Sequence, residues 1–107
     1  MKEVERSPQY DRWIDNLKDR AAKARIAARI TRLQLGNPGD SEHVGERVRE
    51  LRIHIGPGYR VYYTEYGDEL LLLLVGGDKS TQPQDIELAK QIAKTWKEQL
   101  KQAEVGK

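Results

Sequence analysis

The chain has 107 residues, of which 34% are charged and none is cysteine, and its formal net charge at pH 7 is only +2. This length predicts one domain over residues 1–107, and the absence of cysteine excludes disulfides and thiolate metal sites. No stretch has the apolar character of a membrane span or a signal peptide, so we expect a cytoplasmic protein with no membrane partner. Basic residues outnumber acidic ones between Met1 and Leu35, which is compatible with a limited surface for RNA or for an acidic partner helix.

Two amphipathic helices are predicted near the N-terminus, after a weak strand signal at residues 2–6. Ser7 before Pro8 is typical of a helix start, with Ser7 as the N-cap. A second helix is predicted to begin near Asp19 and to end before the glycine-containing segment 36–40. Apolar residues recur at helical spacing in both and predict a helical hairpin laid on a sheet: Tyr10, Trp13, Ile14 and Leu17, then Ala22, Ile26, Ile30 and Leu33.

The segment 49–64 predicts a β-hairpin with one apolar and one polar face. From 49 to 55 polar and apolar residues alternate, except that Arg49 occupies a position on the apolar face, and this pattern is typical of a strand with distinct faces. Residues 37–46 show no pattern and are expected to form a loop. The segment 56–58 supplies a turn, since Gly58 accepts the positive φ of a type II turn. If the apolar face lies in the core, the opposite face gathers Glu50, Arg52, His54, Arg60 and Tyr62.

The remaining elements complete the predicted fold. The leucine run 70–75 shows no alternation, which predicts a strand covered on both faces; a short helix is the other interpretation, but Gly67 and the pair Gly76-Gly77 bound the run. A terminal helix is predicted after the helix-start signals of segment 80–84, and the chain from Ala103 onward is expected to fray. We therefore expect an α+β fold in which a small antiparallel sheet is packed by the N-terminal helical hairpin, with a C-terminal helix added.

Several kinds of site can be excluded from the sequence. The histidines lie on different elements without carboxylates at metal-ligand spacing. The glycines lack a dinucleotide fingerprint, and no strand-to-helix elbow carries a serine nucleophile. Phosphoryl chemistry without a metal or another cofactor remains.

The polar face of the hairpin carries side chains that suit such chemistry. Cleavage of RNA through the 2′-hydroxyl needs a base, cations for the phosphate and an acid for the departing 5′-oxygen. Glu50 is the candidate base, and the candidate cationic catalytic residues are Arg52, Arg60 and Lys79. His54, Tyr59 and Tyr62 are candidate substrate-binding residues. The alternative is that Glu50 and Arg52 simply pair across a solvated sheet face.

Arg25, Arg29 and Arg32 repeat at helical spacing on the outer side of the second predicted helix. A solvated face is one interpretation of this stripe. A contact surface for RNA or for an acidic partner helix is the other, and on that interpretation the three arginines are candidate substrate-binding residues.

Segments 56–63 and 76–82, taken together, are the most distinctive part of the chain. With residues 13–19, 25–30, 50–53, 72–74 and 85–86 they resemble the HigB-like addiction-module killer family of the RelE/ParE toxin superfamily. The resemblance covers nearly the whole chain. By position, Arg60 corresponds to the sheet arginine of the superfamily, and Lys79 falls where a further basic catalytic residue usually sits.

The resemblance implies a RelE-like toxin domain that a cognate antitoxin neutralises in a hetero-oligomer, and that cleaves mRNA on the ribosome. The chain departs from the family at one point: relatives often place tyrosine or histidine near the reaction at the C-terminal end, and here neither follows Tyr66. The alternative function is a non-catalytic inhibitor of DNA gyrase or of another nucleic-acid machine, as in ParE-like sister proteins. Fold alone does not separate the two.

Overall fold

A computed structural model describes residues 1–105 and shows a five-stranded sheet with helices on both faces. In chain order the elements are β1 (Glu3–Arg6), α1 (Pro8–Asn16), α2 (Arg20–Gln34), β2 (Ser41–Gly45), β3 (Val48–Ile53), β4 (Tyr59–Tyr66), β5 (Leu70–Asp78), a 3₁₀ turn (Lys79–Thr81) and α3 (Gln82–Val105). The predicted α+β class is confirmed. Residues 106–107 and the side chains from Ala103 onward lie outside the described residues, and so does the fraying predicted there.

The strands lie in the order β1-β5-β4-β3-β2, and the sheet is mixed. β3, β4 and β5 form an antiparallel run, as predicted, and β2 extends it beyond β3. β1 pairs in parallel with β5, from Glu3 opposite Leu70 to Arg6 opposite Leu73. The antiparallel sheet therefore gains a parallel edge strand, whose sequence signal was weak because Val4 is its one apolar residue.

β2 forms the other edge of the sheet, within a segment that was predicted to be a loop. That prediction was wrong for Ser41–Gly45. β2 pairs antiparallel with β3, and Glu42 lies opposite Glu50. An edge strand with mostly exposed polar residues has no apolar alternation, so its sequence pattern did not reveal it. β3 ends at Ile53, before the predicted end at Ile55.

The face of the sheet under α1 and α2 holds one hydrophobic core. Both helices start where they were predicted to: Ser7, the predicted N-cap, accepts a hydrogen bond at Oγ from Tyr10 N, and Asp19 Oδ1 accepts one from Ala22 N, each at 3.0 Å. This confirms the helical hairpin. The buried members of this core are Tyr10, Ile26, Leu33, Leu51, Ile53, Val61, Tyr63, Leu71 and Leu73.

α3 covers the opposite face and builds a second core there. A bulge between Tyr62 and Tyr63 shifts the pairing of β4 with β5, and both Leu74 and Val75 join the α3 side. β5 is thus covered on both faces, as its leucine run predicted. The buried members of the second core are Val48, Tyr62, Leu72, Leu74, Val75, Ala89, Ile92 and Ala93.

Within residues 1–105 no helix combines the length and apolar character that crossing a membrane requires.

Gly76 and Gly77, near the end of β5, allow close approach of the helices on both faces. A Cβ on Gly76 would stand 1.9 Å from a ring carbon of Trp13 in α1, and a Cβ on Gly77 would stand 2.0 Å from Asp85 Oδ2 in α3. Both distances are far below van der Waals contact. Neither position therefore accepts a side chain unless its neighbour moves.

Gly76→Ala is expected to lower the free energy of unfolding by about 1–3 kcal/mol, the usual cost of overpacking, because the added methyl group collides with the Trp13 ring. The double variant Gly76→Ala/Trp13→Ala tests this cause. If the collision causes the loss, the double variant loses less stability than the two single variants lose together. Urea unfolding of the four proteins measures this coupling. Simple additivity would contradict the assigned contact.

Candidate active site

A cleft of about 330 Å³ opens beside the 56–58 turn, at one end of the sheet. This volume lies at the lower end of the range for small-ligand pockets. The sheet register explains its lining, because Arg52 lies opposite Arg60 and β5 ends at Asp78, directly before Lys79. The predicted site residues that the cleft brings together are Arg52, His54, Tyr59, Arg60 and Lys79.

Arg60 and Lys79 converge at Gly58. Gly58 has the positive φ predicted for this turn, 82°, and its carbonyl oxygen accepts a hydrogen bond from Arg60 Nη1 at 2.9 Å. A Cβ on Gly58 would lie 3.4 Å from Lys79 Cγ and 3.5 Å from Arg60 Nη1. Lys79 is exposed, whereas Arg60 is largely buried. Two cationic side chains thus meet at one end of the cleft, an arrangement that suits a phosphate group.

Glu50 is fully buried and is surrounded by hydrogen-bond donors. Its Oε1 accepts from Arg52 Nε at 2.9 Å, and its Oε2 accepts from Tyr62 OH at 3.0 Å and from Gln82 Nε2 at 2.8 Å. Arg60 Nε stands 3.5 Å from Oε1 and has no hydrogen-bond partner within the described part of the chain. Burial alone would raise the pKa of Glu50, but the hydrogen bonds and the Arg60 charge lower it below its ordinary value. Glu50 is therefore an ionised, enclosed carboxylate.

The burial of Glu50 and Tyr62 limits what each can do. A general base must reach its substrate, yet the oxygens of Glu50 are occupied by donors and its lowered pKa makes it a weak proton acceptor. Tyr62 is fully buried as well, and burial, together with its hydrogen bond to Glu50, raises its pKa. Tyr62 faces Glu50 and does not line the cleft. Glu50 and Arg52 do pair, but on a face that α3 covers rather than a solvated one.

Arg52 joins three carboxylates on one side of the cleft. Its Nε bonds to Glu50, one Nη contacts Glu42, and the other Nη lies 3.7 Å from Asp40 Oδ1. The hydrogen bonds with Glu50 and Glu42 raise the pKa of Arg52. Three carboxylates around one guanidinium offset its charge and occupy its N–H groups. Arg52 is therefore a weaker ligand for a phosphate than Arg60 and Lys79.

His54 follows β3 and is hydrogen-bonded through Nε2 to Asp40 Oδ2. This bond lowers the pKa of Asp40, and the charge of Arg52 adds to the effect. Within residues 1–105 no group of three or more histidine, aspartate or glutamate side chains is placed to hold a metal ion. Asp40, Glu42 and Gln82 were not predicted as site residues, because no periodic signal distinguishes them in a loop, an edge strand and a helix start.

The three arginines of α2 are of two kinds. Arg25 and Arg32 are exposed and line a groove that adjoins the cleft, which we call the α2 groove. Arg29 also lines it but is half-buried: its Nη1 donates to Arg52 O at 2.6 Å and its Nη2 to Pro38 O at 3.2 Å. Burial lowers the pKa of Arg29. Arg29 therefore fastens the loop before β2, whereas Arg25 and Arg32 remain open to a ligand.

The fold and the cleft define a small α+β protein of RelE-like architecture with a cationic site at the end of its sheet. Residues 12–104 match the family described as "Phage derived protein Gp49-like (DUF891)", and the chain belongs to that family. The family is of toxin–antitoxin toxin type, similar to the RelE and HigB toxins, and it implies an antitoxin partner.

Comparison with individual proteins adds a relative but no function. An "Uncharacterized protein" of Haemophilus influenzae (strain ATCC 51907 / DSM 11121 / KW20 / Rd) is 52% identical over 84 residues, which cover 78% of this chain and 85% of that protein. No solved structure matches the chain.

Glu50→Gln is expected to lower the free energy of unfolding by about 3–5 kcal/mol at neutral pH, because it removes the negative charge that faces the guanidinium groups of Arg52 and Arg60. The folded pKa of Glu50 lies below its ordinary value of 4.5, so the ionised carboxylate stabilises the fold above pH 4.5, and this contribution is lost as the pH falls through the folded value. The difference between wild type and variant should therefore shrink in acid. Urea unfolding at neutral pH and below pH 4.5 measures it.

Two further variants control this experiment. Glu98→Gln changes an exposed glutamate on α3 and should alter stability by less than about 0.5 kcal/mol. Tyr62→Phe removes one donor to Glu50 and should cost about 1.5–3 kcal/mol, as for a hydrogen bond to a charged group. If the free energy of unfolding changes with pH equally in the wild type and in Glu50→Gln, Glu50 does not stabilise the fold as an ion.

Proposed function

We propose that this protein is the toxin of a type II toxin–antitoxin system and that it cleaves mRNA on the ribosome through the 2′-hydroxyl, without a metal ion. The observation that carries this proposal is the convergence of Arg60 and Lys79 at Gly58 in the cleft. Such a pair stabilises the negative charge that builds on the phosphate as its bond to the 5′-oxygen breaks. Preorganised charge of this kind often contributes more to catalysis than any other single effect. The toxin type of the family supports the same function.

The proposed roles of the predicted catalytic residues differ with their exposure. Arg60 and Lys79 contact the phosphate. Glu50 is a positioning residue, because its enclosed carboxylate holds the guanidinium groups of Arg52 and Arg60 beside the cleft. Arg52 in turn connects Glu50 with the acidic residues next to β3. A site whose side chains are fixed by such supporting contacts holds its substrate in a reactive geometry.

Tyr59 and the α2 groove are proposed to hold RNA on either side of the cut phosphate. Tyr59 lines the cleft, and its ring packs edge-on against Trp13 at a centroid distance of 6.3 Å. A half-buried aromatic ring in the lining of the cleft is suited to stacking with an unpaired base, the usual way in which single-stranded RNA is bound. Arg25 and Arg32 bind flanking phosphates in the groove, a contribution that salt should weaken.

Lys79→Gln and Arg60→Lys are each expected to lower mRNA cleavage by about 10²–10³, the effect of removing one preorganised donor. Lys79 is exposed, so its loss should leave the fold intact, and Arg60→Lys keeps a positive charge beside Glu50. Arg20→Ala is the matched control, because Arg20 begins α2 outside the lining of the cleft. Cleavage is measured as new mRNA 5′ ends in a translation reaction.

Other outcomes of this experiment separate the alternatives. Full cleavage by Lys79→Gln would remove this lysine from the mechanism. Cleavage of mRNA that carries a 2′-deoxynucleotide at the cut site would exclude the 2′-hydroxyl as nucleophile. Growth arrest without mRNA cleavage, accompanied by inhibition of DNA gyrase, would favour the non-catalytic ParE-like alternative.

The cognate antitoxin is proposed to bind the toxin in the cytoplasm as a hetero-oligomer, with an acidic segment over the α2 groove. The product of a neighbouring gene should therefore co-purify with this protein and suppress its toxicity. Arg25→Glu/Arg32→Glu should weaken the complex through like-charge repulsion, whereas Arg20→Glu should not. If no neighbouring gene product binds or neutralises the protein, the toxin–antitoxin hypothesis loses its main support.

A further inference from the structure

Cleavage through the 2′-hydroxyl requires a proton acceptor that can reach the substrate. Glu50 is enclosed by donors, and Tyr62 is buried with a raised pKa, so neither meets this need. The cationic side chains of the cleft are donors rather than acceptors. Among the residues that line the cleft, His54 is the one whose side chain offers a nitrogen lone pair when neutral.

His54 stands at the junction between the cleft and the α2 groove. Its side chain is 73% exposed, and it lines both depressions. A nucleic-acid strand that runs from Arg25 and Arg32 in the groove to Arg60 in the cleft passes His54. The other charged groups near this histidine are Asp40, Arg52 and Arg29.

Asp40 fixes the orientation and the tautomer of His54. Its backbone is held in place, because Asp40 O accepts hydrogen bonds from Arg52 N at 3.0 Å and from Arg29 Nη2 at 3.3 Å. Its carboxyl group is ionised near neutral pH, since the hydrogen bond from His54 lowers its pKa. An ionised carboxylate only accepts hydrogen bonds. Nε2 of His54 therefore carries the hydrogen, and Nδ1 keeps a free lone pair.

We propose that His54 is the general base of the cleavage and that Asp40 is its positioning residue, an inference that rests on the proposed function. Nδ1 of His54 takes the proton of the 2′-hydroxyl as the 2′-oxygen attacks phosphorus. The O2′–P bond forms and the P–O5′ bond breaks, leaving a 2′,3′-cyclic phosphate. The departing 5′-oxygen takes a proton from the Lys79 ammonium. Both side chains then exchange protons with water and return to their starting states.

The sheet topology supports this division of roles. His54 follows β3 and Lys79 follows β5, and β4 lies between these two strands. The base and the acid therefore come from opposite sides of the cleft. An attacking and a leaving oxygen that lie in line across phosphorus need this arrangement.

The test compares single-turnover cleavage of ribosome-bound mRNA by the wild type and three variants. His54→Ala should cut about 10²-fold more slowly or worse, with unchanged binding to the ribosome, and added imidazole should restore part of the rate. Asp40→Ala should lower the cleavage rate less than His54→Ala does. His43→Ala is the matched control, because this second histidine is exposed on β2 outside the cleft. Nitrogen NMR of the free protein should show the hydrogen of neutral His54 on Nε2 in the wild type. In Asp40→Ala it should show a mixture of the two neutral tautomers.

Each result decides a separate point. Wild-type cleavage by His54→Ala, or a loss that imidazole does not relieve, would overturn the proposal for His54 and leave the proposed function standing. A hydrogen on Nδ1 in the wild type would overturn the role of Asp40. If the wild-type protein cleaves no mRNA while control ribosomes translate normally, the proposed function fails, and the inference about His54 fails with it.

Discussion

The rest of the site depends on the buried carboxylate of Glu50. A buried charge is costly unless donors surround it. Here the donors come from three elements: Arg52 on β3, Tyr62 on β4 and Gln82 at the start of α3. The contacts that keep Glu50 ionised therefore also join these elements and orient the arginines at the cleft. Because one network serves both purposes, the geometry of the site is coupled to the stability of the fold.

The packing of helices on both faces determines where the cleft can lie. α1 reaches the sheet at Gly76 and α3 reaches it at Gly77, since neither position has a side chain to hold the helices apart. The bulge at Tyr62 supplies further apolar side chains to α3. Both faces are covered along β5 as a result. The cleft forms at the end of the sheet beside the 56–58 turn.

Features with a strong local pattern were predictable from the sequence, whereas features that depend on distant packing were not. Short-range signals predict the N-cap at Ser7, the helix start near Asp19 and the doubly covered leucine run. They also predict the convergence of side chains across the hairpin. The burial of Glu50 depends on where α3 lies, which periodicity does not specify. Arg29 shares the spacing of its exposed neighbours, but the loop before β2 folds over it. Asp40 lies in that loop, so no pattern identified it.

The two sides of the cleft differ in charge, and this difference orients the substrate in the proposed reaction. Three carboxylates surround Arg52 on the β3 side, while Arg60 and Lys79 meet on the other side. A phosphate therefore binds less well to Arg52, whose charge the carboxylates offset, than to Arg60 and Lys79. The scissile group therefore binds near Lys79, with its 2′-hydroxyl directed toward His54. Because carboxylates weaken Arg52 as a phosphate ligand, the anion-binding side of the cleft is the one with Arg60 and Lys79. The proton-accepting side is the one with His54.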